Sequence, residues 1–280
     1  MRVANVAGRA VVVRGEDLGV DVEDASGGRF GPDPQSLFGD WPAFLEWAAD
    51  LDDDAEAHPF DRVDVGPPVP RPPQVFAIGI NYREHADEAG YPPDSAPVTF
   101  TKFPSCLTGA DAVVALPTAT VDWEVELVVV IGREARNVTR EQAWDHVAGL
   151  AVGQDLSERT AQLAGSRPQF SLAKSHEGFG PVGPWLTTPD ELADRDDLAI
   201  WCRLDDETLQ SSRTTRMIYD VPELLVRLSA VCALLPGDIV FTGTPSGIGN
   251  ARTPKRFLKP GDELISEIEG LGSIRTRFRR

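Results

Sequence analysis

The segment DWEVELVVVIG, residues 122–132, decides the fold of this chain. It places two glutamates, Glu124 and Glu126, at the entrance to an uninterrupted apolar run. Side chains alternate between the faces of a strand, so both glutamates point to one side and Trp123 and Val125 to the other. Two like charges at the start of a buried strand are unfavourable unless water or a hard divalent cation neutralises them. An ordinary half-exposed strand with alternating polar residues is the other interpretation.

A third carboxylate, Asp155, follows the apolar run GLAVG at residues 149–153 and precedes a predicted helix. One interpretation is that Asp155 caps this helix. The other is that it completes a three-oxygen face with the two glutamates. Because Mg²⁺ keeps several coordination positions for water or substrate, three protein ligands would suffice.

The composition bounds the class of protein. The 280 residues are 41% hydrophobic and 25% charged, which suits one large domain, or a large domain with a small appendage. A formal net charge of −17 and a pI near 4.6 disfavour nucleic acid and anionic membrane surfaces as partners. The three cysteines show no metal-ligand spacing, and no apolar run is long enough to span a bilayer. These features predict a cytoplasmic protein.

The stretch GPPVPRPP, residues 66–73, predicts a stiff, extended linker. Before it, residues 1–65 hold short strands and a helix near residues 42–52, which predicts a small N-terminal α+β accessory domain. After it, residues 74–280 are rich in strands. Helices are predicted there over residues 82–89, 139–146, 157–164 and 220–235, the last being the longest. Strands outnumber helices without regular alternation, which favours a mixed α/β, mostly β fold over a doubly wound sheet.

His85 and Glu88 are a candidate acid–base pair. Their spacing of three brings the side chains together on the predicted helix. A carboxylate in contact with an imidazole orients the ring and raises its basicity, as a general base requires. A charged surface helix is the alternative, and Glu84 is a competing neighbour for the imidazole.

Two further segments carry candidate binding groups. Lys174 lies in an uncharged stretch of a chain with only four lysines, where it either holds a substrate carboxylate or is an ordinary surface residue. The glycine-rich segment TGTPSGIG, residues 242–249, follows an apolar strand. Free backbone amides in such a loop bind anions, and a carboxylate is the expected one, whereas the alternative is a tight turn that needs glycine geometry.

The order of these segments along the chain resembles the fumarylacetoacetate hydrolase superfamily. The matching stretches are AIGINYREH (77–85), EVE (124–126), GQD (153–155), LAKS (172–175), TGTPSGIG (242–249) and LKPGD (258–262). The resemblance covers about residues 72–280, and residues 1–65 look like the short, variable N-terminal domain of many bacterial members. The stretch GFGPVGPW (178–185) is similar to the bacterial subgroup that acts on short 2-oxo or 2,4-dioxo acids.

The resemblance implies a β-roll catalytic domain, a homodimer and a bound Mg²⁺ or Mn²⁺, with Ca²⁺ as a further option. It implies the metal ligands Glu124, Glu126 and Asp155. It implies that His85 and Glu88 form the acid–base dyad on a segment that can close as a lid. Residues implied to contact the 2-oxo acid substrate are Lys174, Thr244, Arg159 and Gln162. The chain departs from the pattern at Ile80, where some relatives carry a polar residue.

These parts predict a reaction. A metal chelated by a 2-oxo acid stabilises the enolate that forms when a bond at C3 breaks. With His85 and Glu88 activating water, we expect hydrolysis of the C3–C4 bond of a 2,4-dioxo acid of the acylpyruvate or fumarylpyruvate type. The same enolate serves oxaloacetate decarboxylation, hydration of a dienoate and keto–enol isomerisation, which are the alternatives. A non-catalytic metabolite-binding relative is a further alternative, although binding a chelating acid needs no general base.

Overall fold

The computed structural model describes residues 1–92 and 95–280, and strands dominate it. The strands are β1 (Arg2–Val6), β2 (Arg9–Val13), β3 (Leu18–Asp21), β4 (His58–Pro59), β5 (Val65–Gly66), β6 (Val75–Gly79), β7 (Val98–Thr101), β8 (Leu107–Thr108), β9 (Asp111–Ala115), β10 (Val121–Asp122), β11 (Val125–Ile131), β12 (Val147–Gln154), β13 (Ser157–Glu158), β14 (Gly180–Thr187), β15 (Ala199–Leu204), β16 (Glu207–Arg213), β17 (Ile239–Phe241), β18 (Glu263–Ile268) and β19 (Gly272–Arg279). The helices are α1 (Val22–Ala25), α2 (Trp41–Ala49), α3 (Arg83–Glu88), α4 (Arg159–Gln162) and α5 (Val221–Ser229). In these two ranges no helix is long and apolar enough to cross a membrane.

Within the described residues the strands form two large sheets and one short ladder. The larger sheet has twelve strands in the order β4-β3-β2-β1-β14-β12-β11-β17-β6-β7, with β5 paired to β1 and β8 to β14. The second sheet has five strands in the order β16-β15-β18-β19-β9, and β10 pairs with β13. Apolar side chains of both large sheets share one core. The predicted mixed, mostly β architecture is therefore confirmed.

Strand β11 lies at the centre of the larger sheet, between β12 and β17. All seven of its residues are buried, and Val125 and Leu127 point into the shared core. The register pairs Glu126 with Gly153 of β12. A Cβ at Gly153 would lie 2.5 Å from Val128 Cγ2, so the close packing of these strands requires glycine there.

The N-terminal strands continue the larger sheet. Strand β1 pairs antiparallel with β14, and β5 pairs with the other part of β1. The proline-rich connector packs against this region, with Pro68 and Val69 buried. The backbone hydrogen bonds thus run across the boundary at residues 66–73, and the division into an accessory domain and a catalytic domain remains a prediction.

Three predicted helices differ from the observed elements. Residues 139–146 form only a 3-10 turn at Ala143–His146, because the chain must enter β12 at once. Residues 157–158 form β13 before the short α4 begins. The predicted helix over 220–235 ends at Ser229, and Leu234 instead exchanges backbone hydrogen bonds with Ala135.

Candidate active site

Three predicted carboxylates meet at one end of β11 and β12. Ligand oxygens of Glu124, Glu126 and Asp155 all lie within 4.8 Å of one another, and the three residues are buried. Asp155 directly follows β12, and its N–H donates to the carbonyl of Glu124 at 2.9 Å. The antiparallel pairing of these two strands therefore builds the cluster.

Each carboxylate of the cluster has one oxygen that accepts a hydrogen bond from a donor outside it. The pairs are Arg159 Nη2 to Glu124 Oε1 at 2.7 Å, Lys102 Nζ to Asp155 Oδ1 at 2.7 Å and the Gly243 N–H to Glu126 Oε2 at 2.8 Å. The second oxygens of Glu124 and Asp155 both lie 2.6 Å from Lys174 Nζ. Both oxygens of Glu124 and of Asp155 are therefore hydrogen-bonded, and a cation held by these carboxylates would have to take the place of the Lys174 ammonium on one oxygen of each.

The electrostatics of the cluster differ between its members. Burial opposes ionisation of Glu124, but the adjacent cations of Lys174 and Arg159 outweigh it and lower the pKa of Glu124 to about 2. Burial raises the pKa of Glu126 well above its usual range, and the negative charges of Asp155 and Glu124 add to this effect. Three buried carboxylates whose proximity disfavours ionisation of Glu126 are a donor set that fits a hard divalent cation, since such a cation would stabilise the ionised form.

The predicted acid–base pair is also assembled. His85 Nδ1 and Glu88 Oε1 are 2.8 Å apart, and His85 is buried. The N–H of Gly247 donates to Glu88 Oε2 at 3.0 Å, so the glycine-rich loop holds the carboxylate that holds the imidazole. Glu84 accepts a hydrogen bond from Ser212 instead and does not compete for His85.

The glycine-rich loop binds carboxylates of the protein itself. Its amides at Gly243, Gly247 and Gly249 donate to Glu126, Glu88 and Asp122, respectively. Its glycine geometry is also required, since Gly243 has φ of +102° and a Cβ there would lie 2.7 Å from the Cβ of Asn81. Both interpretations of this segment therefore describe part of its structure.

Two candidate substrate contacts, Arg159 and Gln162, lie on α4. Glu158 caps this helix by accepting hydrogen bonds from the N–H groups of residues 160 and 161. The Arg159 guanidinium donates to Asp122, to Glu124 and, through Nη1, to Gln162 Oε1 at 2.8 Å. Arg159 thus links the carboxylate cluster to Gln162.

Thr244 and Lys174 are the other two candidate substrate contacts. The Thr244 hydroxyl donates to the Val125 carbonyl at 2.9 Å and accepts from Gln210 Nε2 at 2.8 Å. Burial disfavours the charged form of Lys174, but Asp155 and Glu124 more than offset it and raise the pKa of this lysine. Lys174 is therefore a permanent cation beside the carboxylates, and its role as a substrate contact stays a prediction.

All the site residues predicted from the sequence except Asp155 line one cavity of about 380 Å³. Its polar wall consists of His85, Glu88, Glu124, Glu126, Arg159, Gln162, Lys174, Thr244 and Asn250. Asp155 is fully buried behind Lys174. The arrangement joins a site for a divalent cation to a histidine that is supported by a carboxylate, which is suited to proton transfer on a bound anion.

Residues 74–279 match the family model of the fumarylacetoacetate (FAA) hydrolase C-terminal domain. The chain belongs to the fumarylacetoacetate hydrolase family. The predicted superfamily and its fold are thereby confirmed. The FAA hydrolase domain begins directly after the proline-rich connector, so the carboxylate cluster and the His85–Glu88 pair both lie inside it.

Individual relatives in the family differ in the reactions that their names state. Oxaloacetate tautomerase FAHD2A, a mitochondrial protein of Bos taurus, is 43% identical over 209 residues, or 74% of this chain and 67% of that protein. A crystal structure from Mycobacterium smegmatis, provisionally named as an HpcE protein, has a TM-score of 0.93 and 53% identity, covering 100% of this chain and 99% of that chain. Maleylpyruvate hydrolase from Sphingobium sp. SYK-6, solved with manganese(II) and pyruvate, has a TM-score of 0.81 and 29% identity, covering 100% of both chains.

Two buried charges of this FAA hydrolase domain were not predicted as site residues. Lys102 supports Asp155, and Asp122 accepts hydrogen bonds from Arg159 and from the N–H groups of Gly249 and Asn250. Neither side chain is exposed to solvent. The scarcity of lysine was a usable signal for Lys102, whereas Asp122 looked like one more polar position in an alternating strand.

Proposed function

We propose that this protein is a divalent-metal-dependent hydrolase that cleaves the C3–C4 bond of 2,4-dioxo acids of the acylpyruvate type. The observation that carries the proposal is that the His85–Glu88 pair lines the same cavity as Glu124 and Glu126 of the carboxylate cluster. A histidine held by a carboxylate is the group that activation of water requires. The relative solved with manganese(II) and pyruvate supports the choice, because pyruvate is a product of this cleavage.

The cation in this proposal is Mg²⁺ or Mn²⁺, and Glu124, Glu126 and Asp155 would hold it. When bound, it supplies an electrophile that stabilises the negative charge developed on the 2-oxo acid during the reaction. Lys174 and Thr244 are proposed to position the carboxylate end of the substrate beside it. Arg159 and Gln162 are proposed to contact the remaining oxygens.

His85 carries out the proton transfers in this proposal. The imidazole takes a proton from water as the water oxygen attacks the C4 carbonyl, and Glu88 stabilises the imidazolium. The C3–C4 bond then breaks, and the acyl group departs as a carboxylic acid. The proton held by His85 returns to C3 of the other fragment, which becomes pyruvate. One substrate and one water therefore give one carboxylic acid and one pyruvate.

Keto–enol tautomerisation of oxaloacetate is a second candidate function. It is favoured by the 43% identity to a protein named oxaloacetate tautomerase. This reaction moves one proton between C3 and the neighbouring oxygen, so it needs the same base and no attacking water. The two candidates share every residue of the polar wall.

The test uses the purified protein with Mg²⁺ or Mn²⁺. Acetylpyruvate should yield pyruvate and acetate in equal amounts, with pyruvate measured through coupled reduction to lactate. Ketonisation of enol-oxaloacetate is followed in parallel. Formation of no pyruvate from any acylpyruvate, with rapid ketonisation of oxaloacetate, would replace the hydrolase with the tautomerase. A protein that binds acylpyruvate with Mg²⁺ but converts neither compound would be a non-catalytic binding relative.

A further inference from the structure

The lining of the cavity also contains large side chains that are mostly apolar. Four of them lie on separate segments: Ile80 after β6, Tyr91 after α3, Leu163 at the end of α4, and Phe170 in the loop before β14. The ring of Phe170 stacks on the ring of Phe100, with centroids 5.2 Å apart, and this contact fixes its position. Leu163 is 46% exposed and lies at the rim. We refer to these four residues as the acyl wall.

Ile80 is the most unusual member of the acyl wall. Its φ of +61° places a β-branched residue in the left-handed region, which glycine or asparagine adopts at much lower cost. Asn81 holds the backbone here by donating to the Thr242 carbonyl at 2.7 Å and to the Tyr219 carbonyl at 2.9 Å. The isoleucine side chain is buried against the cavity. The backbone strain at Ile80 therefore accompanies a gain of apolar surface on the cavity that is proposed to bind the substrate.

The cations of the cavity are already engaged on its polar side. Among the lining residues that the structure describes, Arg159 and Lys174 carry permanent positive charge. Arg159 is bound to Asp122 and Glu124, and Lys174 is bound to Glu124 and Asp155. A second carboxylate at the far end of a substrate would lose its hydration against the acyl wall, where the four residues offer the Tyr91 hydroxyl as a donor but no cation. An alkyl or aryl group has no such favourable hydration to lose.

We propose that the acyl wall is a specificity subsite for an uncharged, apolar group on C4 of the substrate. The enzyme then prefers acylpyruvates with alkyl or aryl chains over 2,4-dioxo acids that end in a second carboxylate. The inference rests on the proposed hydrolase function and adds the substrate class to it. The cavity of about 380 Å³ leaves room for such a chain beyond the four carbons that reach the polar wall.

The experiment compares two substrates of equal length, 2,4-dioxooctanoate and 2,4-dioxooctanedioate, which differ in a terminal methyl or carboxylate. We expect kcat/KM to be at least about tenfold higher for the methyl-terminated acid. We also expect kcat/KM to rise about threefold for each methylene added from acetylpyruvate onwards, since each buried methylene adds transfer free energy. Preference for the dicarboxylate would overturn the inference and leave the hydrolase function standing.

A variant tests the position of the subsite. Leu163→Arg places a cation at the rim, where partial exposure tolerates it, and should shift the preference about tenfold or more towards the dicarboxylate. Leu172→Arg is the matched control, because Leu172 is 67% exposed and is not among the residues that line the cavity. Unchanged selectivity in Leu163→Arg, or an equal shift in both variants, overturns the assignment. If neither acid is hydrolysed, the proposed function fails, and calorimetric binding of the same two acids with Mg²⁺ still decides the subsite.

Discussion

Lys102 and Asp155 form an ion pair that is closed to solvent on both sides, with Nζ 2.7 Å from Oδ1. The same ammonium donates to the carbonyls of Lys174 and Phe179. One oxygen of Asp155 is therefore held by Lys102, while its other oxygen and one oxygen of Glu124 face Lys174. Ca²⁺ takes six to eight oxygens, often from carboxylates that bind through both, whereas Mg²⁺ takes six in a tight octahedron. In the proposed function a cation replaces the Lys174 ammonium, while Arg159, Lys102 and Gly243 still hold one oxygen of each carboxylate, and we expect this to favour Mg²⁺ or Mn²⁺ over Ca²⁺.

We predict that Lys102→Met shifts this preference. Freeing Asp155 Oδ1 should strengthen Ca²⁺ binding relative to Mg²⁺ by about tenfold, measured as the ratio of the two Kd values by calorimetry. Loss of a buried partner should also lower the free energy of unfolding of the metal-free protein by about 3–5 kcal/mol, so folding is checked by urea titration first. Lys259→Met, at an exposed lysine, is the control. A folded variant with an unchanged ratio would contradict the role given to Lys102.

We predict that Glu126→Gln weakens Mg²⁺ binding by an order of magnitude or more, because the charge of the oxygen ligands tunes affinity. The amide is similar in size to the carboxylate and can still accept the hydrogen bond from Gly243. Calorimetric titration with Mg²⁺ measures the effect. Glu84→Gln is the matched control, since that side chain binds Ser212 outside the cluster. If both variants bind Mg²⁺ as the wild type does, Glu126 is not a ligand.

We predict that His85→Ala lowers kcat by about 10²-fold or more, the usual scale for loss of a general base. Binding of Mg²⁺ and of oxalate, a mimic of the enolate, should persist because the carboxylate cluster is on other elements. Acylpyruvate hydrolysis should fall much more than any oxaloacetate decarboxylation, which needs no activated water. Steady-state kinetics on both substrates, with His146→Ala as a control, decides this. Equal losses on both substrates would mean that His85 serves a step common to them.

Glu158 supports α4 and gives a prediction about acid stability. Burial raises its pKa, but hydrogen bonds from Thr120, Ala161 and Thr118 outweigh this and lower the pKa of Glu158 to about 2. Because the pKa is lower in the folded state, the stabilisation is complete above the ordinary pKa near 4.5 and is lost as the pH falls towards 2.

The variant Glu158→Gln should therefore lower the free energy of unfolding by about 1–2 kcal/mol at pH 7, as the loss of a helix cap does. The difference from the wild type should shrink between pH 4.5 and pH 3. Urea denaturation across this pH range measures it. Glu16→Gln, at an exposed glutamate, should show no such dependence. A constant difference at all pH values would show that ionisation of Glu158 is not the stabilising factor.

Gly243→Ala tests the close approach of the glycine-rich loop to Asn81. Gly261→Ala is a matched control, because Gly261 has a similar φ of +95° but nothing within 4 Å of the added Cβ, whereas Gly243 would clash. Both variants should lose about 1–2 kcal/mol from backbone strain. Only Gly243→Ala should lose more free energy of unfolding than this, because of the clash with Asn81. It should also bind Mg²⁺ less tightly, since the N–H of residue 243 holds Glu126. If the two variants have the same free energy of unfolding by denaturation and the same Mg²⁺ affinity by titration, the contact with Asn81 is unimportant.

Local patterns in the sequence predicted part of the site. The orientation of Glu124 and Glu126 follows from the two-residue repeat of a strand, and the contact of His85 with Glu88 follows from the helical repeat. Asp155 was ambiguous because its proximity to the glutamates depends on the register of β11 and β12. Lys102 could not be assigned from the local pattern, since its partner is 53 residues away, and only the scarcity of lysine in the chain pointed to it.

The elements that were predicted wrongly depend on distant contacts. Residues 230–235 have an apolar helical pattern, yet Leu234 bonds to Ala135 and Asp238 accepts from the N–H of Leu235, and these bonds end α5 early. Strand β14 was not predicted as a strand because it contains Pro181 and Pro184, which are unusual in a central strand. In both cases tertiary hydrogen bonding or packing outweighs local propensity.

The carboxylate cluster and the His85–Glu88 pair lie on secondary-structure elements of very different stability. Glu126 lies in β11, and Glu124 and Asp155 are adjacent to the ends of β11 and β12, both buried within the larger sheet, whereas His85 and Glu88 lie on a helix of six residues. Amide protons of the two strands should exchange with solvent only through global unfolding, while those of α3 should exchange through local opening. Because His85 and Glu88 line the cavity, we expect opening of α3 to withdraw the proposed base and uncover the cavity together. In the proposed function, substrate would then enter and product leave while the cation stays in place, and we expect the rate of this opening to set an upper limit on turnover.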